Sequence, residues 1–203
     1  MSTQMSPTKG NLMRVNKLLE LSNVGFDLLD RKRNILIRQT LSLVDTAKQL
    51  RNEINKTYSL AYKALERANM SCGVIDDLAE SVALDNRIEL SSKSIMGVEL
   101  PVINYTPPKN KNYFGYHRTS MALDEAFELF NSAKTLTVKL AEVESAVFRL
   151  ADGLGKTQKR ANALKNIIIP SFAGQAKNIS SALEEREREE FSRLKIIKKI
   201  IDD

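Results

Sequence analysis

From Leu12 the apolar positions recur in alternating steps of three and four residues, and one heptad frame runs without adjustment to Ala68. Its a and d sites are Leu12, Val15, Leu19, Ser22, Phe26, Leu29, Arg33, Leu36, Thr40, Leu43, Ala47, Leu50, Ile54, Thr57, Ala61, Ala64 and Ala68. All but Ser22, Arg33, Thr40 and Thr57 are apolar, and a run of this length predicts a coiled-coil helix. Pro7 with Thr8 supplies its start, and an end near residue 75 makes it on the order of 100 Å long at 1.5 Å per residue. Alanine takes over the seam toward that end, which permits a partner helix to approach more closely.

A second frame runs through Ala126, Leu129, Ala133, Leu136, Leu140, Val143, Val147, Leu150, Leu154, Thr157, Ala161, Leu164 and Ile168. Near Pro170 it slips to Phe172, Ala176, Ile179 and Leu183, then resumes through Phe191, Leu194, Ile197 and Ile201. The slip resembles a stutter, which locally unwinds a supercoil. Pro170 removes a helix hydrogen bond, so a kinked helix is expected there, with a break into two helices as the alternative. Thr119 or Ser120 serves as N-cap for this helix.

Between the two frames, "SIMGVELPVINYTPPKNKNYFGYH" alternates Val98, Leu100 and Val102 and carries turn residues. It reads as a small strand-bearing excursion such as a hairpin, with a polar loop at "PPKNKN". The expected fold is therefore dominated by α-helix: a long antiparallel two-helix coiled coil with a small strand-bearing head in the middle of the chain. The segments are a first shaft helix over residues 1–75, a head over 76–118 and a second shaft helix over 119–203. With helix ends near 75 and 119, position i faces roughly position 194 minus i, and both termini meet at one tip.

Composition supports long helices. Among 203 residues there is no Trp, aromatics are 6%, charged residues 28%, and Gly and Pro number only 8 and 5. The net charge of +6 is uneven, with Lys and Arg outnumbering acids twofold over residues 1–75. A basic stripe suits nucleic acid, an anionic membrane or an acidic protein surface. Cys72 is the sole cysteine, so no internal disulfide forms, a cytosolic compartment is expected, and the thiol reads as a small semi-buried residue near a helix end. No apolar run approaches the ~20 residues of a membrane span, and "MSTQMSPTKG" lacks an apolar signal region. A soluble chain without direct membrane insertion is expected.

"GLGKT" at residues 153–157 looks like the tail of a phosphate-binding loop, but the position five before Gly155 is Leu150, and no strand precedes it. No bound nucleotide or other cofactor is expected. His117 is the single histidine and has no metal-ligand spacing around it. No nucleophile–base pair or isolated carboxylate pair stands out, so neither a catalytic nor a metal site is expected and the chain acts mechanically or by binding. The antiparallel register instead sets "RKR" (Arg31, Lys32, Arg33) opposite Lys159 and Arg160, a collar of positive charge. It is either a set of solvated cations or a contact with acidic loops of a surrounding protein. Gly153 and Gly155, placed beside it, would soften the helix or let a partner backbone come close.

"SPTKGNLMRVNKLLELSNVGFDLLDRKRNIL", "IMGVELP", "TQKRANALKNIIIPSF" and "LEEREREEFSRLKIIKK" occur in an order that resembles the D subunit of V-type (A/V-type) rotary ATPases. The resemblance covers nearly the whole chain. It implies a non-catalytic central rotor shaft on the cytoplasmic side of a membrane-associated complex, coupling ATP hydrolysis or synthesis to transport of protons or sodium. Its implied partners are the catalytic head hexamer of A and B subunits, the small F subunit and the funnel-shaped C/d subunit, and no nucleic acid. Two other classes fit the residues less well. A nucleic-acid-binding coiled coil is disfavoured by Glu20, Asp27, Asp30 and Asp45 within the basic helix. An adaptor lying on a membrane surface is only weakly suggested by "FSRLKIIKKIIDD".

Overall fold

The computed structural model describes residues 6–73, 85–107 and 119–202. Helix α1 spans Lys9–Cys72, 64 residues. Thr8 caps it: its Oγ1 accepts from Asn11 N at 3.2 Å, and its carbonyl accepts the first helical bond, from Leu12 N at 3.0 Å. At the other end Gly73 takes φ 78° and donates its N–H to Asn69 O at 3.0 Å. That is a left-handed glycine cap, and it stops the helix three residues before the expected end.

Every a and d position from Leu12 to Ala68 is buried or half-buried. The polar exceptions are accommodated locally. Ser22, Thr40 and Thr57 each turn the hydroxyl back to the carbonyl four residues earlier, at 2.7, 2.8 and 2.9 Å. A seam hydroxyl is thus satisfied without a partner from the facing helix.

Next come strands β1 (Ile88–Ile95) and β2 (Val98–Tyr105), helix α2 (Met121–Ala163), one π turn (Leu164–Ile168) and helix α3 (Ile169–Asp202). The π turn is closed by Ile169 N–H donating to Leu164 O. Seam residues Leu164, Ile168, Phe172 and Ala176 follow one another in steps of four, more than the 3.6 residues of an α turn, and a wider turn absorbs that excess. The chain stays helical through Pro170; the break does not occur, and the extra backbone of the π turn lies just before the proline.

The chain divides into two compact units, residues 1–34 with 155–203 and residues 35–154. In the first, helix α1 runs antiparallel to its partner segments. Lys9 Nζ meets Glu187 Oε1 at 2.8 Å, Lys165 Nζ lies 5.7 Å from the Phe26 ring centre, and Arg33 reaches Gln158. Val15, Ala161 and Ile179 are buried between them.

In the second unit the helices are again antiparallel, as shown by Arg51–Glu144 at 2.7 Å, Tyr58–Thr137 at 3.2 Å, Arg67–Glu125 at 3.3 Å and Ser71–Ser120 at 2.9 Å. Ala61, Ala64, Ala68 and Ala133 are fully buried, as the narrowing seam requires. Tyr58, Tyr62 and Phe130 form an aromatic group, with Phe130 edge-on to both tyrosines.

β1 and β2 pair antiparallel around a two-residue turn, Met96–Gly97, in register Ile95↔Val98 to Ile88↔Tyr105. Both turn residues have positive φ, 51° and 73°, the mirror-image turn that matches strand twist. The hairpin docks through Leu100 onto Leu36, Ala146 and Leu150. Leu36 and Leu150 are fully buried, and each such side chain contributes about 1.5–3 kcal/mol. His117 and the loop over residues 108–117 lie outside the described residues.

Candidate functional site

The basic cluster is built in the first unit from one turn of α1 and one turn of α2. Arg33 occupies a seam position and is half-buried. Its guanidinium pairs with Asp30 on its own helix and donates from Nη1 to Gln158 Oε1 at 3.4 Å. Gln158 in turn donates to Asn162 Oδ1 at 3.0 Å. This chain of contacts holds the two basic stretches at one level, as the register anticipates. Arg31, Lys159 and Arg160 point to solvent, and Lys32 is half-buried.

The outward charge is therefore carried by Arg31, Lys159 and Arg160, while Arg33 is spent holding the helices together. Gly155 is exposed, and a Cβ there would meet nothing within 4 Å. Gly153 belongs to the second unit, where a Cβ would stand 2.7 Å from Val98 Cγ2. Its missing side chain lets strand β2 lie against α2.

Farther along the first unit, the seam changes. Phe172, Ala176, Ile179 and Leu183 are buried or half-buried, but Phe191, Leu194, Ile197 and Ile201 are 70%, 64%, 52% and 76% exposed. The reason is the extent of α1. It starts at Lys9, which pairs with Glu187, and Pro7 O accepts from Arg186 Nη1 at 3.0 Å. Residues past this level have no α1 residue to face, and among the described residues the resumed frame forms an exposed apolar stripe.

A second polar centre, in the second unit, carries no motif in the sequence. The Asp85 carboxylate, 10% exposed, accepts from Lys134 Nζ at 2.6 Å, from Tyr105 Oη at 2.9 Å and from Arg87 Nε at 3.0 Å. The Lys134 contact, opposed by burial and aided by Tyr105 and Arg87, holds its carboxyl well below the usual carboxylate range. Burial alone would pull Lys134 down, but Asp85 outweighs it and the pKa of Lys134 rises. Burial, then Asp85, pushes the Tyr105 phenol up. Lys134 also sits 5.5 Å from the Tyr105 ring centre. The cluster fastens both ends of the hairpin to α2. It contains one carboxylate and three donors, a structural clamp rather than an acid–base pair.

Among the described residues no group of three or more His, Cys, Asp or Glu could hold a metal ion. No described helix is long and apolar enough to cross a membrane. Cys72 is half-buried and donates from Sγ to Ser120 Oγ at 3.3 Å.

Comparison with known proteins gives these surfaces a context. The model of the ATP synthase D-subunit family matches residues 11–199. The D subunit of the V-type ATP synthase of Thermotoga neapolitana is 37% identical over 196 residues, covering 96% of this chain and 97% of its own. The D subunit of the A-type ATP synthase of Methanosphaera stadtmanae is 34% identical over 204 residues, with 98% and 95% covered. That of Pyrococcus furiosus is 35% identical over 204 residues with the same coverage. With the match running from the first turns of α1 almost to the end of α3, through hairpin and π turn alike, the chain belongs to the D-subunit family of ATP synthases.

Proposed function

We propose that this chain is the non-catalytic central-stalk subunit of a V-type or A-type ATP synthase, a rotor shaft coupling ATP turnover in the catalytic head to proton or sodium transport. The carrying observation is the arrangement of the first unit. The start of α1 lies beside Glu187, and α3 runs on past it with an apolar stripe open to contact. On this reading the two termini enter the hexameric head of A and B subunits together, on the cytoplasmic side of the membrane. The hairpin-bearing middle of the chain stays outside, near the small F subunit and the funnel-shaped C/d subunit.

The mechanism follows from inequality of surface. A shaft with different side chains at each azimuth presents a different face to each of three catalytic interfaces. Turning it exchanges those faces, so binding energy at one interface is traded against another. Arg31, Lys159 and Arg160, with Lys32 beside them, supply one such face, suited to acidic loops. Each exposed ion pair contributes only about 0.2–1 kcal/mol, so the collar biases orientation rather than welding shaft to head. Gly155 leaves room for a partner backbone at the same level. Family membership disfavours the nucleic-acid-binding and adaptor readings, and no observation on the described residues revives them.

Charge reversal tests the collar directly. Arg31→Glu, Lys159→Glu and Arg160→Glu together are expected to lower coupling, read as ion transport per ATP hydrolysed in the reconstituted complex, several-fold at low salt. Coupled turnover equal to that of the unaltered complex would remove the collar from the mechanism.

A further inference from the structure

A two-stranded sheet has two outer edges, and this hairpin treats them differently. The two-residue turn makes Ile95 and Val98 the pair that exchanges both ladder hydrogen bonds. Strict alternation then points the backbone N–H and C=O of Ile88, Leu90, Ser92 and Ser94 outward on β1, and those of Glu99, Pro101, Ile103 and Tyr105 outward on β2. Two observations support this phase. Pro101, which has no N–H to give, stands opposite Ser92 at an outward position. Glu99 O, also outward, accepts from Arg149 Nη1 at 3.2 Å.

The β2 edge is thereby closed, by a proline that removes a donor and an arginine of α2 that takes an acceptor. β1 has no such guard. It holds no proline, its residues from Ile88 to Ser94 are all exposed, and no hydrogen bond among the described residues occupies its outer edge. Lys93 is its one basic residue, and its backbone faces β2 in the pair with Leu100. An open depression of about 540 Å³ lies on the other side of the hairpin, over β2 toward α2, lined by Leu90, Pro101, Ile103, Glu144, Phe148 and Arg149, so it is not part of the β1 edge.

We propose that the β1 edge receives an extended segment of another subunit of the ATP synthase, which adds a third strand to the hairpin. The inference rests on the reading of this chain as a subunit of that complex. Donors and acceptors recurring at every second residue match an extended backbone and nothing else. An edge of eight residues covers a few hundred Å² at most, well below the roughly 800 Å² per partner of a stable pair. A second copy of this chain would not be held by it alone, whereas a subunit already tethered in an assembly would.

Hydrogen exchange of the β1 amides, compared between the isolated chain and the purified ATP synthase, tests the proposal. In the isolated chain Leu90, Ser92 and Ser94 are expected to exchange fast, and Ser91 and Lys93, bonded to β2, slowly; in the complex the first three slow by about tenfold or more. Ser92→Pro deletes one outward donor at a position that already faces a proline, so the Ser91 and Lys93 protection should persist while the slowing at Leu90 and Ser94 is lost. If that variant cannot form the hairpin, Leu90→Glu is used, with the same loss expected. Fast exchange of the outward amides in an intact complex overturns this inference alone. Protection already present in the isolated chain also overturns it, whether constant, from the chain covering its own edge, or rising with concentration, from a second copy. Slowing that survives the variants overturns it too. A chain that enters no such complex overturns the subunit reading and this inference with it.

Discussion

Replacing Gly153 by alanine would place a methyl group 2.7 Å from Val98 Cγ2, with Val98 Cγ1 and Cβ at 3.7 and 3.8 Å. Two opposing quantities decide the outcome. Alanine in the middle of a helix gains about 1 kcal/mol over glycine. A methyl forced into a filled contact costs about 1–3 kcal/mol. Val98 has little freedom to retreat: it is β-branched and stiff at χ1, and its neighbour Glu99 is tied to α2 through Arg149. The overpacking therefore wins, and Gly153→Ala is expected to destabilise the chain by about 1 kcal/mol. Gly155, two residues on, is the internal control, because a Cβ there meets nothing within 4 Å. Gly155→Ala is expected to stabilise by up to about 1 kcal/mol. Urea unfolding of the isolated chain, read by helical signal, with hydrogen exchange of the hairpin amides as the local probe, measures both. Val98→Ala added to Gly153→Ala should recover most of the hairpin protection that the single change loses. If Gly153→Ala stabilises as much as Gly155→Ala, the close approach of β2 to α2 is not what glycine is there to permit.

The Asp85 cluster makes a prediction about pH. Its folded pKa lies below the ordinary value, so its contribution is fully present above the usual carboxylate pKa of about 4 and is lost as pH falls from there through the lower folded value. Asp85→Asn should therefore flatten the acid limb of a stability–pH profile; a limb unchanged in the variant would refute the clamp. Met96 holds a left-handed backbone at φ 51°, which asparagine adopts more readily, so Met96→Asn should raise stability by about 1 kcal/mol in the same urea assay. Removing residues 191–203 should leave the unfolding midpoint of the isolated chain unchanged, since none of the described side chains there is buried, yet lower its retention in the complex.

Most of the paired helix was legible because one rule governs it. A residue's distance along the seam fixes its face, so the burial of Leu36 or Ala61 followed from spacing alone. The hairpin, too, was visible in the alternation of Val98, Leu100 and Val102. The Asp85 clamp was not, because its partners Tyr105 and Lys134 lie 20 and 49 residues away and nothing local links a carboxylate to a tyrosine at the end of a strand. Gly153 stood out as a helix breaker within "GLGKT", but the reason for it is a valine on the hairpin, which no helical pattern contains. The slip of the frame at Pro170 signalled a disturbed turn. Whether strain would appear as kink, break or π turn depended on the backbone's cheapest way to host a proline without losing the seam.

The terminal stripe shows where such a rule stops. Leu183 and Leu194 both belong to the apolar pattern read along this helix, and spacing alone does not tell which of them is covered. What differs is the facing element: α1 begins at Lys9, which pairs with Glu187, and just before it Pro7 O accepts from Arg186. Among the described residues, an apolar seam that runs past the start of α1 leaves four large side chains, Phe191, Leu194, Ile197 and Ile201, exposed. Burying each would contribute about 1.5–3 kcal/mol. At 52–76% exposed, they give the folding of the isolated chain only a minor part of that free energy, so the continued frame adds little to the chain's own stability. On the proposed reading as a rotor shaft the frame has its account in the assembly, where this surface meets a partner only after insertion. On that reading the periodicity that builds the antiparallel pair also lays out, beyond its end, the surface for that contact.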